Sequence, residues 1–306
     1  MFRCVAAAIT IILLIAEAKS ASAQTPTERN VIYGMYSGLA LLMDVYRPEQ
    51  PNGRGIIFVA GSGWQAPLEY NAVGLKDGTA QTGAWLPPLL HAGYTVFAIN
   101  HRSTPRFHYP APLEDVQRAV RFVRHHAKQY GIQPIPLGAL AGSSGAHLIG
   151  LAAMLAAPGI NDDSDPVNRQ PATLQCIALR AAPTDFTRMG TAAGGAMSML
   201  MQLPTASPAT AKAYAAASPI THVSRSAPPT LLLHGDADET VPFQQSVAME
   251  AALRGANVPV KLVTVPGGAH GPSFAIKGKT HPHLPSFTGE VVRWFDQHLR
   301  SQGASR

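Results

Sequence analysis

One serine between small residues constrains the fold of this chain more than any other feature. Ser143 lies in residues 141–145, which read A-G-S-S-G, between an apolar run and a segment of helical character. Small neighbours let a chain turn sharply from a strand into a helix and leave the central hydroxyl exposed at the tip. The usual form is G-x-S-x-G, and Ala141 is a small departure from it. Ser144 in a shifted frame would need glycine where the chain has Ala146, so the pattern predicts Ser143 as a nucleophile.

Two later segments contain the partners that a serine nucleophile needs. An apolar run that ends at Gly235 is followed by Asp236 and Asp238, and His270 lies in a glycine-rich loop after a further apolar run. A serine hydroxyl is a weak nucleophile at neutral pH, so a histidine must accept its proton. A carboxylate must then orient the imidazole and stabilise its charged form. The chain order Ser, Asp, His is that of α/β-hydrolases, with two carboxylates competing for the role of the acid.

Apolar and amphipathic segments alternate along the chain, which is typical of an α/β fold with a mainly parallel sheet between helices. The pattern predicts an opening hairpin over 30–47, and strands over 55–60, 94–100, 137–142, 174–181, 230–235 and 260–265. Helices are predicted over 113–130, 144–157, 243–254 and 287–300. Residues 65–86 and 187–217 do not fit the alternation. We interpret them as the cap and mouth of a pocket, with simple surface insertions as the alternative.

The first 23 residues have the features of a secretory signal peptide. A basic residue precedes an apolar run from Val5 to Ala16, and residues 21–23 have the small-x-small form of a cleavage site. The run is shorter than the roughly 18–20 residues that span a bilayer, so no stable membrane anchor is expected after cleavage. The sequence thus predicts a secreted or periplasmic protein. The remaining residues, 24–306, are predicted to form one catalytic domain, with 46% hydrophobic residues in the chain for a large core.

Composition argues against several other classes of protein. The formal net charge of +6 comes from scattered basic residues, which disfavours a nucleic-acid partner. Cys4 lies in the predicted signal and Cys176 in an apolar run, so no disulfide and no thiol nucleophile are expected in the mature chain. The histidines lack the spacing to carboxylates or cysteines that metal sites show. No metal and no other cofactor is therefore expected.

Taken together, these segments resemble the α/β-hydrolase fold serine esterases. The resemblance is to the acetyl-esterase and feruloyl-esterase-like branch, which shares features with hormone-sensitive-lipase and prolyl-oligopeptidase relatives. It covers nearly the whole mature chain, through residues 42–48, 60–64, 100–102, 109–111, 115–116, 141–145, 218–219, 234–242 and 265–271. Such esterases usually read H-G-G-G-W at the segment 60–64, where this chain has Ala60 and Ser62 in place of the histidine and the middle glycine.

The resemblance implies the α/β-hydrolase fold with a small cap, and a catalytic triad of Ser143, His270 and Asp238. It favours Asp238 over Asp236 because residues 234–242 fit the pattern H-G-x-x-D-x-x-V-P. Asp236 is then expected to help the turn.

A tetrahedral intermediate needs preorganised backbone donors for its oxyanion. We expect them from the amides of Ser62, Gly63 and Ser144, since an amide donates whatever its side chain. Trp64 is expected either to line the pocket or to pack beneath it. Met197, with other apolar residues of 187–217, is expected to line a pocket for a small or aromatic acyl group.

The predicted protein is an exported serine hydrolase that cleaves carboxylic esters through an acyl-enzyme. Its expected substrate is a small-molecule or polymer-borne ester with an acetyl, feruloyl or other short or aromatic acyl group. A peptidase or amidase of prolyl-oligopeptidase type is the first alternative. The lack of a propeller-sized segment before the hydrolase part argues against it. A catalytically inactive binding protein on the same fold is the second, since fold does not determine function.

Overall fold

The computed structural model describes residues 24–70, 72–189, 194–204, 208–276 and 279–300. In these ranges a sheet lies between two layers of helices. The strands are β1 (Glu28–Tyr36), β2 (Leu39–Tyr46), β3 (Gly55–Val59), β4 (Thr95–Ile99), β5 (Leu137–Gly142), β6 (Cys176–Arg180), β7 (Thr230–Gly235) and β8 (Val260–Val265). The helices are α1 (Thr79–His91), α2 (Ala111–His125), α3 (Ser143–Leu155), α4 (Gly194–Met201), α5 (Pro208–Ala216), α6 (Gln244–Gly255) and α7 (Leu284–Phe295).

The eight strands form one sheet in the order β1-β2-β4-β3-β5-β6-β7-β8. β2 runs antiparallel to both β1 and β4, and every other neighbouring pair is parallel. The prediction of a mainly parallel sheet is therefore confirmed. Because parallel strands end at the same edge, the loops after β3, β5, β6, β7 and β8 meet there, which is where binding sites form in such sheets.

The core consists of one apolar layer on each face of the sheet. Successive residues of a strand point to opposite faces, so Ile57 and Val59 pack with α2, α3 and α6, while Ile56 and Phe58 pack with α1 and α7. The free Cys176 lies buried in the second layer. Burial raises the pKa of its thiol, so the group stays protonated at neutral pH.

The structure of residues 65–86 differs from the sequence-based expectation of a cap. The structure places the second half of that segment in α1, whose Trp85 and Leu86 pack into the apolar layer shared with α7. This part therefore covers the sheet and does not form a cap. Pro87 and Pro88 inside the helix interrupt the usual helical signals, and prolines normally end helices, which is why the pattern failed to show α1.

The second segment, 187–217, contains α4 and α5. Its residues 190–193 and 205–207 lie outside the described residues, as do the predicted signal peptide at 1–23 and the last six residues. Among the helices that the structure describes, none has the length and apolar character needed to cross a membrane.

Helix α3 packs closely enough on β3 to give a test of the fold. A Cβ at Gly145 would lie 2.6 Å from the carbonyl oxygen of Ala60 and closer still to that of Val59, so Gly145→Ala must push two backbones apart. We expect it to lower the free energy of unfolding by about 1–3 kcal/mol or more, the range typical of overpacking. Urea denaturation followed by circular dichroism measures this.

Gly83→Ala in α1 is the matched control, because a Cβ there meets no atom within 4 Å. In a helix interior alanine is more favourable than glycine by up to about 1 kcal/mol, so this variant should be as stable as the parent or more stable. Equal stability of the two alanine variants would contradict the packing described.

Candidate active site

Ser143 occupies the sharp turn that the sequence pattern predicts. It follows β5 directly, begins α3, and has a φ of +52°, a left-handed conformation that side-chain-bearing residues rarely adopt. The two glycines packed against it, Gly61 and Gly142, have no room for a side chain. A Cβ at Gly61, in the loop after β3, would lie 2.7 Å from Ser143 Cβ, and one at Gly142 would meet the guanidinium of Arg180 at 2.5 Å. The strained turn is thus tightly enclosed, by the backbone of the loop after β3 and by the Arg180 side chain, and holds the serine at the carboxyl edge of the sheet.

Ser143, His270 and Asp238 are joined in one chain of hydrogen bonds. His270 Nε2 lies 3.0 Å from Ser143 Oγ, and His270 Nδ1 lies 2.7 Å from Asp238 Oδ2. A neutral imidazole with its proton on Nδ1 donates to the carboxylate and accepts from the serine hydroxyl. The three side chains come from the ends of β5, β7 and β8, so sheet topology brings together residues that are far apart in sequence.

The Asp238 carboxylate is buried and held in its ionised form. Its Oδ1 accepts hydrogen bonds from the amides of Thr240 at 2.9 Å and Val241 at 2.8 Å. Burial by itself would raise the pKa of Asp238. The hydrogen bonds from His234 and His270 outweigh burial and hold the pKa of Asp238 well below its usual range. A permanent negative charge therefore faces His270 at neutral pH.

Asp236, the competing acid, lies elsewhere. Its exposed carboxylate accepts a hydrogen bond from the Gly267 amide at 2.6 Å, which ties the loop after β7 to the loop after β8. Only one of the two candidate carboxylates therefore contacts His270, and Asp236 has the turn-supporting position that the resemblance implies.

His234 is a buried residue of the motif whose contacts the sequence did not reveal. Its Nδ1 lies 2.7 Å from Ser246 Oγ, and its Nε2 lies 3.0 Å from the Val241 carbonyl oxygen and 3.3 Å from Asp238 Oδ2. Since a carbonyl only accepts, Nε2 carries a proton, and Nδ1 then accepts from the serine hydroxyl. His234 thereby fixes the loop that carries Asp238.

The segment 60–64 lies against the Ser143 turn, as expected. One of its amides, that of Ser62, already donates a hydrogen bond within the protein. The Ser62 amide donates to Ser144 Oγ at 2.8 Å, so the hydroxyl at position 144 occupies one of the three predicted oxyanion donors. Gly63 has a left-handed φ of +65°, which glycine adopts without strain. Within the described residues, no hydrogen-bond acceptor contacts the amides of Gly63 and Ser144.

Gln81 of α1 holds this segment in place and was missed by the sequence reasoning. Its side-chain amide accepts from the Gly61 amide at 2.8 Å and donates to the Gly61 carbonyl at 2.7 Å. One residue thus satisfies both backbone groups of Gly61. The signal was hidden, because Gln81 lies in a segment interpreted as part of a cap.

Trp64 packs beneath the turn. It is 2% exposed, and its indole N–H donates to His147 Nδ1 at 3.1 Å, while the Nε2–H of His147 donates to the Ala217 carbonyl at 2.8 Å. Burial lowers the pKa of His147 to about 4, so the ring is neutral at neutral pH. Phe186 stacks on His147 and meets Trp64 edge-on. The indole N–H needed a buried partner, and this explains why Trp64 faces inward.

Met197 is also placed differently from the expectation. It belongs to α4, is 3% exposed and packs into the core layer, so almost none of its side chain is open to a substrate. In the part of the chain that the structure describes, no three His, Cys, Asp or Glu side chains converge in a way that could hold a metal ion.

Comparison with known proteins places the chain in a family. The sequence profile of BD-FAE matches residues 43–253, a range that includes β5, Ser143 and Asp238. The chain belongs to the BD-FAE family. The fold is that of the α/β-hydrolases, as expected from the resemblance and in agreement with esterases of known structure. One is a truncated carbohydrate esterase from gut microbiota, 26% identical, with a TM-score of 0.73 over 90% of this chain and 97% of that chain.

The chain is similar in sequence to two curated proteins that are named as ester hydrolases. It is 32% identical to the probable carboxylic ester hydrolase LipM of Mycobacterium tuberculosis, over 74% of this chain and 51% of LipM. It is 32% identical to an acetylxylan esterase of Xylanibacter ruminicola over 106 residues, which cover 35% of this chain and 20% of that protein. The chain spans about half the length of the first curated relatives that it matches.

The ionised Asp238 should influence how stability depends on pH. A carboxylate whose folded pKa lies below its unfolded pKa stabilises the fold above the unfolded value, and this stabilisation is lost as pH falls. Asp238→Asn removes that contribution. We expect the free energy of unfolding of Asp238→Asn to fall less steeply than that of the parent between about pH 5 and pH 2, a window that starts just above the unfolded carboxyl pKa of about 3.9 and extends down toward the lowered folded pKa. Denaturation midpoints across this range measure the slope.

Asp236→Asn is the matched control, because this carboxylate is exposed and does not contact His270. A slope for Asp238→Asn equal to the slopes of the parent and of Asp236→Asn would show that Asp238 is not held in its charged form by the fold.

Proposed function

We propose that this protein is an exported serine hydrolase that cleaves carboxylic esters of short or aromatic acyl groups through an acyl-enzyme. The observation that carries the proposal is the hydrogen-bonded chain from Ser143 Oγ through His270 to Asp238. Its chemistry is that of an activated hydroxyl: a nucleophile, a base within reach of its proton, and a buried carboxylate behind the base. The likeness to LipM, named as a probable carboxylic ester hydrolase, supports the reaction type.

In the proposed acylation step, Ser143 Oγ bonds to the carbonyl carbon of the ester while its proton moves to His270 Nε2. The negative charge of Asp238 stabilises the resulting imidazolium without taking the proton. When the tetrahedral intermediate collapses, the carbon–oxygen bond to the alcohol breaks, and the imidazolium protonates the departing alkoxide. A water molecule then gives a proton to His270 Nε2 as its oxygen bonds to the acyl carbon. When this second intermediate collapses, the bond from the carbon to Ser143 Oγ breaks, His270 returns the proton to that oxygen, and the carboxylic acid is released.

The oxyanion of each tetrahedral intermediate requires donors beside Ser143. We assign this role to the amides of Gly63 and Ser144, which contact no acceptor within the described residues. The Ser62 amide would join them only after leaving Ser144 Oγ. Such donors are effective because they are already oriented before the charge develops.

The proposed substrate class is an acyl group on a sugar or polymer. The likeness to a carbohydrate esterase and the partial match to an acetylxylan esterase support it. The described parts of 187–217 contain two short helices, in which Met197 and Leu200 are buried in the core and Met199 is 41% exposed, so the apolar surface offered by their large side chains is small for a long acyl chain. The predicted export is part of the proposal, because polymer-borne esters lie outside the cell; it rests on the pattern of residues 1–23.

Ser143→Ala tests the nucleophile. We expect turnover of p-nitrophenyl acetate to fall by a factor on the order of 10⁴–10⁶ with the fold intact, because no other group replaces the hydroxyl. Ser144→Ala should retain at least about a hundredfold more turnover than Ser143→Ala, since the role proposed for Ser144 in catalysis is that of its amide, which the substitution leaves in place. An active Ser143→Ala together with an inactive Ser144→Ala would reverse the assignment.

A substrate panel tests the acyl preference. We expect kcat/KM to be highest on acetyl, butyryl or feruloyl esters, including acetylated and feruloylated sugars, and lowest on palmitoyl esters. A peptide anilide should be cleaved poorly, because an amine anion leaves less readily than an alkoxide. Initial rates measured side by side decide this, and a maximum on the palmitoyl ester or on the anilide would overturn the proposed class.

A further inference from the structure

Arg180 is a buried cation at the end of β6 that the mechanism above does not use. The residue is 3% exposed, although arginine is almost never buried without partners. Burial lowers the pKa of its guanidinium to about 10, and the nearby charge of Asp238 opposes that shift. The group therefore remains protonated at neutral pH, and a positive charge lies inside the carboxyl edge of the sheet.

This guanidinium contacts the two turns that carry the reacting side chains. Its Nη1 donates to the carbonyl oxygen of Gly271 at 2.7 Å, and Gly271 directly follows His270. Its Nη2 lies against the backbone of Gly142, which directly precedes Ser143, so closely that a Cβ at Gly142 would come within 2.5 Å of it. One rigid planar group thus touches the residues next to both the nucleophile and the base.

The loop with His270 needs a support close to the imidazole, because its own sequence restricts it little. The bonds that join Asp236 to Gly267 and Trp85 to Pro272 lie three and two residues away from His270. Gly267 and Gly271 have φ values of +66° and +129°, which are open to glycine and rare for other residues. The imidazole must nevertheless hold two hydrogen bonds, of 3.0 Å and 2.7 Å, at the same time. Catalytic groups work only when they are held within about 0.5 Å of their working geometry.

We propose that Arg180 is the positioning residue that sets the distance between His270 and Ser143, by bridging the Gly271 carbonyl and the backbone of Gly142. It does not touch the substrate. The bridge has a planar geometry that lysine lacks, because a guanidinium presents its donors in a fixed fork, whereas an ammonium is a point charge on a flexible chain. This proposal rests on the proposed function, in which Ser143 and His270 react.

Arg124 provides a matched control within the same chain. It is also buried, at 4% exposed, and burial lowers the pKa of its guanidinium to about 10. It likewise donates to carbonyl oxygens, those of Pro134 at 3.1 Å and Thr173 at 2.8 Å, but it lies in α2 and contacts no residue of the site. Arg124→Met therefore measures the cost of losing a buried, carbonyl-bound arginine that has no part in positioning.

The experiment compares Arg180→Met, Arg180→Lys and Arg124→Met with the parent, using p-nitrophenyl acetate at a temperature where thermal melts show each variant folded. We expect Arg180→Met to lower kcat by about 10- to 100-fold, the scale of a 1 Å misplacement of a catalytic group, and to leave KM within about threefold. Arg180→Lys should recover part of the loss. Arg124→Met should lower the melting temperature while keeping kcat within about twofold, since it leaves the geometry of the reacting groups unchanged.

A kcat of Arg180→Met within about twofold of the parent, or a loss no larger than that of Arg124→Met, would overturn the proposal. If Arg180→Met does not fold, Arg180→Lys decides, because parental kcat in that variant would show that the planar bridge is not needed. Ser143→Ala is measured alongside. An active Ser143→Ala would refute the proposed function itself, whereas an inactive Ser143→Ala with a fully active Arg180→Met refutes only the positioning role.

Discussion

The contact between the loop after β3 and the start of α3 is the constraint on which the rest of the site depends. Gly61 and Gly145 allow two backbones to meet where any side chain would clash. That approach places the Ser62 amide beside Ser144 Oγ and leaves the Ser143 hydroxyl at the open edge. The left-handed backbone of Ser143 costs of order 1–3 kcal/mol, and it persists because the surrounding packing permits no relaxed alternative.

A second requirement is electrostatic. Burying a carboxylate is costly unless its oxygens are hydrogen-bonded. A buried carboxylate that lacks some of its partners makes the fold less stable than an apolar side chain at the same place would. Asp238 meets this condition through two backbone amides and two histidines. The loop that supplies the amides is itself held by His234. The carboxylate and its loop therefore stabilise each other, and neither arrangement would be favourable alone.

Local patterns were enough for the fold class, most strands and the chain order of Ser143, Asp238 and His270, which the fold joins by hydrogen bonds. The turn at Ser143 needs small neighbours, and the strands that feed it are fully buried, so both leave a signature in the sequence. The contacts that hold the site leave no such signature in the sequence. Gln81 reaches Gly61 from a helix that two prolines concealed, and Arg180 reaches Gly271 across 91 positions. Such bonds depend on tertiary placement, which no periodicity records, and the inward orientation of Trp64 and Met197 has the same origin.

The environment of His147 couples folding to proton release. Its two nitrogens have fixed and opposite roles, accepting from Trp64 and donating to the Ala217 carbonyl, so a protonated ring would lose the bond to the indole. The pKa of His147 is lowered to about 4 by burial, whereas an unfolded chain binds a proton on histidine near pH 6.5. Between these values a molecule that folds must expel a proton at this position. Acidification therefore shifts the equilibrium toward the unfolded chain through a residue that takes no part in the proposed chemistry.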